Sequence, residues 1–422
     1  MIPRSEHVIS RANISEPALN VLYRLKKAGF SAYLVGGCVR DLLLGHEPKD
    51  FDVTTDARPE QIRDLFRSCR LVGRRFRLAH VRFGRDIIEV ATFRGPPGKG
   101  LSENGRIVSD NVYGTLEQDA WRRDFSVNAL YYNIRDFSVV DYTGGMEDLK
   151  AGRLRLIGDP VTRYREDPVR MLRAVRFAAK LGFTFHPESE KPIWDLAPSL
   201  QEIPSARLFE EVLKLFLGGC AVQTFELLRH FHLFQWLFPQ TEACLAEEEK
   251  GFPRTFLVQA LSNTDTRIEE GKPVTPAFLF AALLWEPTRK LTERYQQEGI
   301  PGAQAMRKAA EVVLANQAVH VALPRRFSLP MREIWYLQPR FAYRRGKRPL
   351  RLLQHPRFRA AYDFLLLRAQ SGEELEELCQ WWTKIQEMGE KERLRYVKIV
   401  TKSRHRRKPR KRVGKSATPT EA

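Results

Sequence analysis

The chain has 422 residues, of which 43% are hydrophobic and 10% aromatic, and its formal net charge at pH 7 is +19. This length and composition predict a soluble protein that folds into two or three domains. No apolar run approaches the length of a membrane span and the first residues lack the apolar core of a signal peptide, so we expect neither membrane insertion nor secretion. The five cysteines form no CxxC pair, which predicts a cytoplasmic protein without a disulfide framework or a zinc site.

The positive charge extends along the whole chain. Residues 402–422 contain nine Lys or Arg and one Glu, so eight of the nineteen excess charges lie in this tail and eleven lie before it. A surplus of this size predicts a polyanionic partner such as nucleic acid. An anionic membrane surface would also attract the chain, so a peripheral membrane contact is compatible with the charge.

Short apolar segments near the N-terminus predict an α+β region. We expect strands at residues 31–35, 80–83, 87–93 and 129–133, with helices between them. Residues 94–119 are rich in Gly, Pro, Ser and Asn and predict a long mobile loop.

From residue 167 onward, apolar residues recur at intervals of three or four, which predicts helices. We therefore expect an α+β domain at residues 1–160 and helical domains at residues 161–240 and 241–400. Residues 401–422 form a basic, low-complexity tail that we expect to be disordered on its own.

The most informative stretch combines two glycines with two aspartates. Residues 33–45 read YLVGGCVRDLLLG and residues 48–53 read PKDFDV, which predicts a strand, a glycine turn, a short helix and a second strand bearing Asp50 and Asp52. Residues two apart in a strand face the same side, so these carboxylates project together and repel each other unless a cation lies between them. Mg²⁺ commonly binds one or two carboxylates together with substrate phosphates.

The residues around this acidic pair suit a triphosphate. Gly36 and Gly37 let the backbone approach an anion closely, and the N-terminus of the following helix favours negative charge. Arg40, on that helix, is expected to reach the phosphates. Phe51, between the two aspartates, and Val53, after the second one, are expected to point into the core.

A third carboxylate normally completes a two-metal site. Glu89, in the apolar strand at residues 87–93, and Asp124, in the segment RRDFSVN, are both candidates. Glu89 could instead face solvent at an alternating position, and Asp124 could cap a helix or pair with the neighbouring arginines. The sequence leaves this choice open.

Five ordered motifs lie between residues 14 and 217. They are LVGGCVRD at 34–41, KDFDV at 49–53, EVATFR at 89–94, RRDFSVNAL at 122–130 and EDPVRMLRAVRFAAKLGF at 166–183. Together they resemble the class II tRNA nucleotidyltransferase and poly(A) polymerase family. The resemblance implies a polymerase-β-type nucleotidyltransferase head, built as a mixed sheet with helices, followed by an all-helical neck and body. It also implies that GGxxRD and DxD bind triphosphate and metal, that Arg123 contacts the nucleotide, and that Asp124 and Asn128 shape the same pocket.

The fifth motif predicts a base-recognition strip. Asp167 and Arg170 are three residues apart, so on a helix they share one face, and Arg173 and Arg176 continue it as a basic strip. An acceptor and a set of donors can match the edge of a base. The resemblance implies that these positions act as a protein template for the incoming base. Asp167 followed by Pro168 also suits helix capping, which would explain Asp167 but not Arg170.

Residues 71–81, LVGRRFRLAHV, resemble the poly(A)-adding branch of the family. Arg74, Arg75 and Arg77 form a basic patch suited to an RNA backbone, although a basic edge strand would have the same composition. Residues 343–349 and 353–364 interleave basic and aromatic side chains, which favours RNA binding in the C-terminal half. CCA addition to tRNA uses the same chemistry and is the alternative activity. The intact GGxxRD and DxD oppose a non-catalytic RNA-binding adaptor.

The sequence thus predicts an enzyme that adds AMP from ATP to the 3′ ends of mRNA, small RNA or tRNA without a template and releases pyrophosphate. Two Mg²⁺ ions, or Mn²⁺ in their place, are the expected cofactors, and proteins of RNA decay are expected partners. The predicted catalytic residues are Asp50, Asp52, Glu89 and Asp124, of which Asp50 and Asp52 bind metal. The predicted nucleotide-binding residues are Gly36, Gly37, Arg40, Arg123, Asn128, Asp167, Arg170, Arg173 and Arg176. The predicted RNA-binding residues are Arg74, Arg75 and Arg77.

Overall fold

The computed structural model describes residues 1–73, 77–96, 112–247 and 252–402. The predicted RNA contacts Arg74 and Arg75, the middle of the predicted loop and the basic tail beyond Lys402 lie outside the described residues.

The chain divides into two compact units. Unit 1 contains residues 1–239 and 320–322, and unit 2 contains residues 240–319 and 323 onward. The separation of a head from a neck within unit 1 stays a prediction.

A seven-stranded mixed sheet lies in unit 1. Its strands are β1 (Ala32–Val35), β2 (Asp52–Thr55), β3 (Cys69–Val72), β4 (Leu78–Phe83), β5 (Asp86–Thr92), β6 (Leu130–Asn133) and β7 (Val139–Asp141). They are ordered β3-β4-β5-β2-β1-β6-β7, and every neighbouring pair is antiparallel except β2 with β5. The α+β class is confirmed, and the four predicted strands correspond to β1, β4, β5 and β6.

Helices form most of the rest of unit 1, and α1, α2 and α3 pack on the sheet. They are α1 (Glu16–Lys27), α2 (Gly37–Leu43), α3 (Pro59–Leu65), α4 (Leu116–Arg122), α5 (Gly145–Lys150), α6 (Pro160–Glu166), α7 (Val169–Leu181), α8 (Pro187–Glu190), α9 (Pro192–Leu196), α10 (Ser205–Phe216), α11 (Ala221–His230) and α12 (Phe234–Leu237). A short parallel pair, β8 (Arg153–Leu154) with β9 (Thr184–Phe185), lies among them. The predicted helical character after residue 167 is confirmed.

The loop predicted at residues 94–119 is wrong at its C-terminal end, where α4 begins at Leu116. A capping box starts this helix. The Thr115 hydroxyl accepts a hydrogen bond from Gln118 N (3.2 Å), and Gln118 Oε1 accepts one from Thr115 N (3.0 Å). These bonds satisfy backbone donors that a helix start otherwise leaves free.

The hydrophobic core of the sheet follows its register. Leu34 pairs with Val53 across β1 and β2, Val53 pairs with Val90 across β2 and β5, and all three are buried. Helix α1 packs on the same three strands, and its Ser15 cap accepts a hydrogen bond from Ala18 N (3.4 Å). Because side chains alternate along a strand, the residues just before Val53 and Val90 face the opposite side.

Unit 2 is helical. Its helices are α13 (Pro239–Ala246), which begins at the boundary, α14 (Phe252–Glu269), α15 (Pro276–Leu283), α16 (Trp285–Gln297), α17 (Gly302–His320), α18 (Arg325–Leu337), α19 (Arg348–Leu353), α20 (Phe358–Gln370), α21 (Glu376–Glu387) and α22 (Glu390–Lys402). Buried tryptophans anchor its core, and Trp335 and Trp382 donate their indole N–H groups to Ala281 O and Phe341 O. Across the ranges that the structure describes, no helix is both long and apolar enough to cross a membrane.

Candidate active site

The turn between β1 and α2 exposes bare backbone beside a guanidinium group. Gly36 has φ 80° and ψ −135°, a conformation that L side chains rarely adopt. A Cβ at this position would lie 3.5 Å from Arg123 Nη1. The backbone conformation therefore requires glycine at this position, and it places Arg123 next to the exposed backbone of the turn.

Asp52 and Glu89 lie side by side at the edge of this turn. They are Cα partners on the parallel strands β2 and β5, and both are exposed. Adjacent strands are about 4.8 Å apart, so the two carboxylates project from the same face of the sheet. This face is opposite the one on which Val53 and Val90 are buried.

The local environment makes Asp52 unusually basic for an aspartate. Its side chain stays accessible, but surrounding protein atoms remove part of its hydration, and Glu89 and Asp50 add negative charge. These effects outweigh the attraction of Arg123 and raise the pKa of Asp52 to about 6. A divalent cation would offset this repulsion, because carboxylates held close together favour a positive charge between them.

Asp50 differs from the sequence-based prediction in its backbone. Strand β2 begins at Asp52, and Asp50 precedes it in a bend, so the predicted strand bearing both aspartates is wrong at its start. The burial of Phe51 and Val53 is confirmed. Asp50 is exposed and close enough to Asp52 to affect its pKa, so the two acids still form one negatively charged group.

His80 is a neighbour of Glu89 that the sequence did not reveal. It lies on β4 directly opposite Glu89 on β5, and its Nε2 is 3.3 Å from Glu89 Oε1. The contact connects one edge of the acidic group to the adjacent strand.

Asp124 is committed to a different partner. Its Oδ2 accepts a hydrogen bond from Arg173 Nε (2.7 Å), and its Oδ1 accepts one from Phe125 N (2.8 Å). Burial alone would raise the pKa of Asp124, but the charge and hydrogen bonds of Arg173 outweigh it and lower the pKa to about 2. A carboxylate neutralised in this way is a weaker candidate for a metal ligand than Glu89.

Arg123 is held in place by two side chains. Its Nε and Nη2 donate to Asp119 Oδ2 (3.2 and 3.1 Å), and Nε also donates to the Tyr131 hydroxyl (2.9 Å). No hydrogen bond from the described part of the chain occupies Nη1, the atom that lies over Gly36. Arg123 therefore presents a fixed donor to the glycine turn.

A cavity of about 220 Å³ opens beside Arg123. It is lined by Arg94, Arg122, Arg123, Asp124, Asp167, Arg170 and Arg173. The fold thus brings together two segments that are about 40 residues apart and that were both predicted to form the nucleotide pocket. Five arginines against two acids make the cavity attractive to an anionic ligand. Arg94 and Arg122 were not predicted.

Asp167 and Arg170 face this cavity, but Asp167 is not helical. It has φ −151° and ψ 93° and ends α6, whereas α7 begins at Val169, so the predicted shared helical face is wrong. Asp167 Oδ1 accepts from Val169 N (3.3 Å), which agrees with capping, and Oδ2 accepts from Arg207 Nη2 (2.7 Å). Arg170 is buried and donates Nη1 to Glu166 Oε2 (2.9 Å). Capping and ligand binding are therefore compatible roles for Asp167.

Arg40 takes a position other than the one expected. It is buried, its Nε and Nη2 donate to Asp41 Oδ1 (2.9 and 2.6 Å), and its Nη1 donates to Asn128 Oδ1 (2.6 Å). A guanidinium group with these partners stabilises the glycine turn. Gly37 lies directly against it, because a Cβ there would be 3.6 Å from Arg40 Nη2.

Three guanidinium groups surround the ring of Phe177. Those of Arg40, Arg173 and Arg176 lie 5.4, 5.4 and 4.6 Å from the ring centroid. Arg40 comes from α2 and the other two come from α7, so the ring connects the helix after the glycine turn to the helix that carries Arg170, a predicted base-recognition residue. The Arg176 Nε is buried without a hydrogen bond among the described residues.

We expect Phe177→Leu to lower the free energy of unfolding by about 1.5–3 kcal/mol, because it removes three cation–π contacts that contribute about 0.5–1 kcal/mol each. Urea denaturation of the full chain measures this change. Phe216→Leu is the control, since Phe216 is fully buried but has no guanidinium group over its ring in the described structure. Equal losses in the two variants would show that the aromatic face of Phe177 has no special role.

The predicted RNA contact Arg77 is exposed and donates Nη1 to Glu60 Oε1 (2.9 Å). An ion pair this exposed contributes little to stability and can open when a phosphate arrives.

Among the described residues, no group of three or more His, Cys, Asp or Glu side chains is already assembled as a metal site. Mg²⁺ commonly binds one or two carboxylates together with phosphate oxygens of a substrate.

Comparisons with known proteins identify the family of the chain. Residues 32–155 match the model of the poly A polymerase head domain, residues 182–245 that of a probable RNA and SrmB-binding site of polymerase A, and residues 298–415 that of the polymerase A arginine-rich C-terminus. The chain is 54% identical to poly(A) polymerase I of Escherichia coli over 397 residues, which cover 92% of this chain and 85% of the relative. The chain belongs to the poly(A) polymerase family. Poly(A) polymerase I of Haemophilus influenzae is 52% identical over 92% of this chain and 88% of its own length.

Membership in this family confirms a nucleotidyltransferase and favours polyadenylation over CCA addition. A crystal structure of the Bacillus stearothermophilus CCA-adding enzyme in complex with CTP is similar in fold, with a TM-score of 0.60 over 88% of this chain and 82% of that one. Its sequence identity is only 26%. The CCA-adding enzyme therefore shares the architecture and is a more distant relative than the poly(A) polymerases.

Proposed function

We propose that this poly(A) polymerase extends RNA 3′ ends with AMP from ATP at the site formed by the Gly36 turn, Asp50, Asp52 and Glu89. The observation that carries the proposal is the pairing of Asp52 with Glu89 beside a glycine turn, over which lies Arg123 Nη1, an atom with no hydrogen bond to the described residues. In the reaction, the RNA 3′ hydroxyl loses its proton to solvent and its oxygen bonds to the α-phosphorus of ATP. The bond from that phosphorus to the α–β bridging oxygen breaks, and pyrophosphate leaves.

Asp50, Asp52 and Glu89 would hold the divalent cations, Mg²⁺ or Mn²⁺. Their oxygen atoms are the ligand type that these ions prefer. The pKa of Asp52 is raised chiefly by its partial burial and then by the negative charges of Glu89 and Asp50, which outweigh the attraction of Arg123. When bound, the cations would stabilise the negative charge on the attacking and leaving oxygens. Glu89 is our choice for the third carboxylate, because Asp124 is paired with Arg173.

The chain's own donors would bind the triphosphate. Arg123 Nη1 would donate to a phosphate oxygen above the Gly36 backbone, while Asp119 and Tyr131 keep the guanidinium group oriented. Arg40 would act indirectly, by bracing the turn through Asn128 and Asp41 rather than by touching phosphate. An oriented donor loses less entropy on binding than a free side chain.

Base recognition would take place in the 220 Å³ cavity. The Asp167 carboxylate would accept a hydrogen bond from the adenine amino group and Arg170 would donate to a ring nitrogen, as bidentate side chains do at base edges. Arg207 was not predicted from the sequence. Its hydrogen bond to Asp167 Oδ2 would keep the Asp167 carboxylate in a fixed orientation in the cavity. Arg173 would keep Asp124 in the wall of the same cavity.

Asp167→Asn tests the base-recognition role. The amide retains an oxygen that can cap α7 but loses a charged acceptor, so we expect kcat/KM for ATP to fall about 10- to 100-fold, as the loss of a base-edge contact does. Asp159→Asn is the matched control, because Asp159 caps the neighbouring helix α6 through Thr162 N (2.8 Å). Equal kcat/KM values for the two variants would contradict the assignment.

The polyadenylation proposal is tested with two RNAs, one unstructured and one a tRNA lacking its 3′ end. Each is incubated with ATP alone or with ATP and CTP. We expect long A tails on both RNAs under both conditions. Growth that stops after CCA on the tRNA would establish CCA addition instead.

The proposal also includes the location of the protein in the cell and its partners. Scattered free cysteines support the cytoplasmic location expected from the sequence. Partners from RNA decay, and the choice among mRNA, small RNA and tRNA, stay predictions.

A further inference from the structure

A cavity of about 530 Å³ within unit 2 shares no residue with the candidate active site. It lies between α14 and α20 and is bounded by the segment that leads into α15. The Phe278 ring in its wall packs edge-to-face on the buried ring of Phe364, with 5.8 Å between the centroids, so this part of the wall is fixed. The apolar side chains that line the cavity include Ala260, Val274, Phe278, Ala360, Leu366 and Leu367. A mostly apolar cavity of this size is typical of small-molecule sites.

Two polar side chains of α14 also line the cavity. Asn263 and Arg267 are four residues apart, so they lie on one face of the helix. Asn263 Oδ1 accepts a hydrogen bond from Gln259 Nε2 (2.9 Å), and Arg267 Nη2 donates one to Pro273 O (3.0 Å). Within the described part of the chain, Asn263 Nδ2 and Arg267 Nη1 make no hydrogen bond. The two side chains therefore offer neighbouring donors to a ligand.

The charges around the cavity leave one cation without a carboxylate. Arg359 pairs with Asp363 (3.0 Å) and Arg357 pairs with Glu333 (3.2 Å), so both of these lining arginines are compensated. Arg267 forms no ion pair with any residue that the structure describes. A single uncompensated guanidinium group beside an apolar wall suits a ligand that carries one negative charge.

We propose that this cavity binds a small carboxylate with an apolar chain, its carboxylate at Arg267 and Asn263 and its chain against the wall around Phe278. The guanidinium fork matches the geometry of a carboxylate, and the chain is stabilised by leaving water. A cationic ligand is disfavoured, because Asp363 is already paired with Arg359. A neutral apolar ligand would leave the two donors without an acceptor. This binding site goes beyond the proposed function and does not depend on it.

Binding to the full chain is measured by isothermal titration calorimetry with octanoate, octanol and octylammonium, which share one chain length and differ in charge. We expect octanoate to bind most tightly and octylammonium not to bind. Each methylene group removed from octanoate should weaken binding about fourfold, which is the effect of burying one CH₂ group less.

Arg267→Gln keeps a polar side chain on α14 and removes its charge. We expect this variant to bind octanoate about 10- to 100-fold more weakly, as the loss of a hydrogen bond to a charged group does, and to bind octanol like the wild type. Ala360→Phe places a ring in the cavity and should abolish the binding of both probes. Because Arg267 is exposed, Arg267→Gln should fold normally and decides the outcome if Ala360→Phe does not fold.

Arg294→Gln and Ala315→Phe are the matched controls. Arg294 is exposed on α16 and pairs with Glu298, Ala315 is exposed on α17, and neither lines the cavity. Both controls should bind octanoate with the affinity of the wild type. Wild-type octanoate affinity in Arg267→Gln overturns the proposal. Equal binding of octanoate and octanol by the wild type, or no binding of octanoate, overturns it as well.

Discussion

Asp52→Asn abolishes detectable AMP incorporation while the chain remains folded; this is the largest effect that we expect. The carboxylate pair at Asp52 and Glu89 would supply several kcal/mol of charge stabilisation through the cations, and a loss of about 4 kcal/mol lowers the rate about 1000-fold. Single-turnover incorporation of labelled ATP measures it. Because the pKa of Asp52 is higher in the folded chain than its ordinary value, its ionised form costs stability at neutral pH, so the amide should unfold at the same or a higher temperature.

Asp64→Asn serves as the control for this experiment. Asp64 is an exposed acid in unit 1 that pairs only loosely with Arg63, at 3.6 Å. Its neutralisation should leave incorporation and thermal unfolding unchanged. Incorporation by Asp52→Asn at more than a small fraction of the wild-type rate would refute the catalytic role of the pair.

Glu89→Gln and Asp124→Asn should have opposite effects on activity and stability. Glu89 is exposed on its strand, so we expect its amide to change the free energy of unfolding by less than about 0.5 kcal/mol. Its rate should nevertheless fall at least about 100-fold, because a ligand of the charge-stabilising ions is lost. Single-turnover rates and urea denaturation, performed on the same preparations, separate the two quantities.

Asp124→Asn leaves the guanidinium group of Arg173 without its charged partner. Removing one member of a buried ion pair costs about 3–5 kcal/mol, and since Arg173 is partly exposed we expect a loss of about 2–3 kcal/mol. Asp86→Asn, an exposed acid at the start of β5, controls for charge loss on the Glu89 strand. A stable but inactive Asp124→Asn together with an active Glu89→Gln would reverse our choice of the third carboxylate.

Local patterns in the sequence predicted the parts of the site that depend on neighbouring residues. Alternation of apolar residues located four strands, and the burial of Phe51 and Val53 followed from the same alternation. The glycine turn was predictable because the two glycines lie directly between a predicted strand and a predicted short helix, where a tight turn is needed. These features require only backbone geometry over a few residues.

Long-range contacts could not be predicted in the same way. Arg207 reaches Asp167 across 40 residues, and no spacing rule connects α10 with the end of α6. Likewise, the choice between Glu89 and Asp124 depends on the parallel register of β2 with β5 and on the partner Arg173, and neither is written in a local pattern. The contact of Arg40 with Asn128 was unpredictable for the same reason, since the two residues are 88 positions apart.

One error had a visible signal in the sequence. Thr115 and Gln118 have the spacing of a capping box, and they start α4 inside the segment that was predicted to be a loop. The abundance of Gly, Pro and Ser upstream masked this signal. Correcting it matters for the site, because Asp119 on α4 is the residue that orients Arg123.

The most direct test of the central claim is the number of Mn²⁺ ions bound per chain, measured by electron paramagnetic resonance with a nonhydrolysable ATP analogue. We predict about two ions for the wild-type chain and for Asp124→Asn, and fewer for Asp52→Asn and Glu89→Gln. A full complement of ions in Asp52→Asn and Glu89→Gln, with a loss in Asp124→Asn, would contradict the site proposed at β2 and β5.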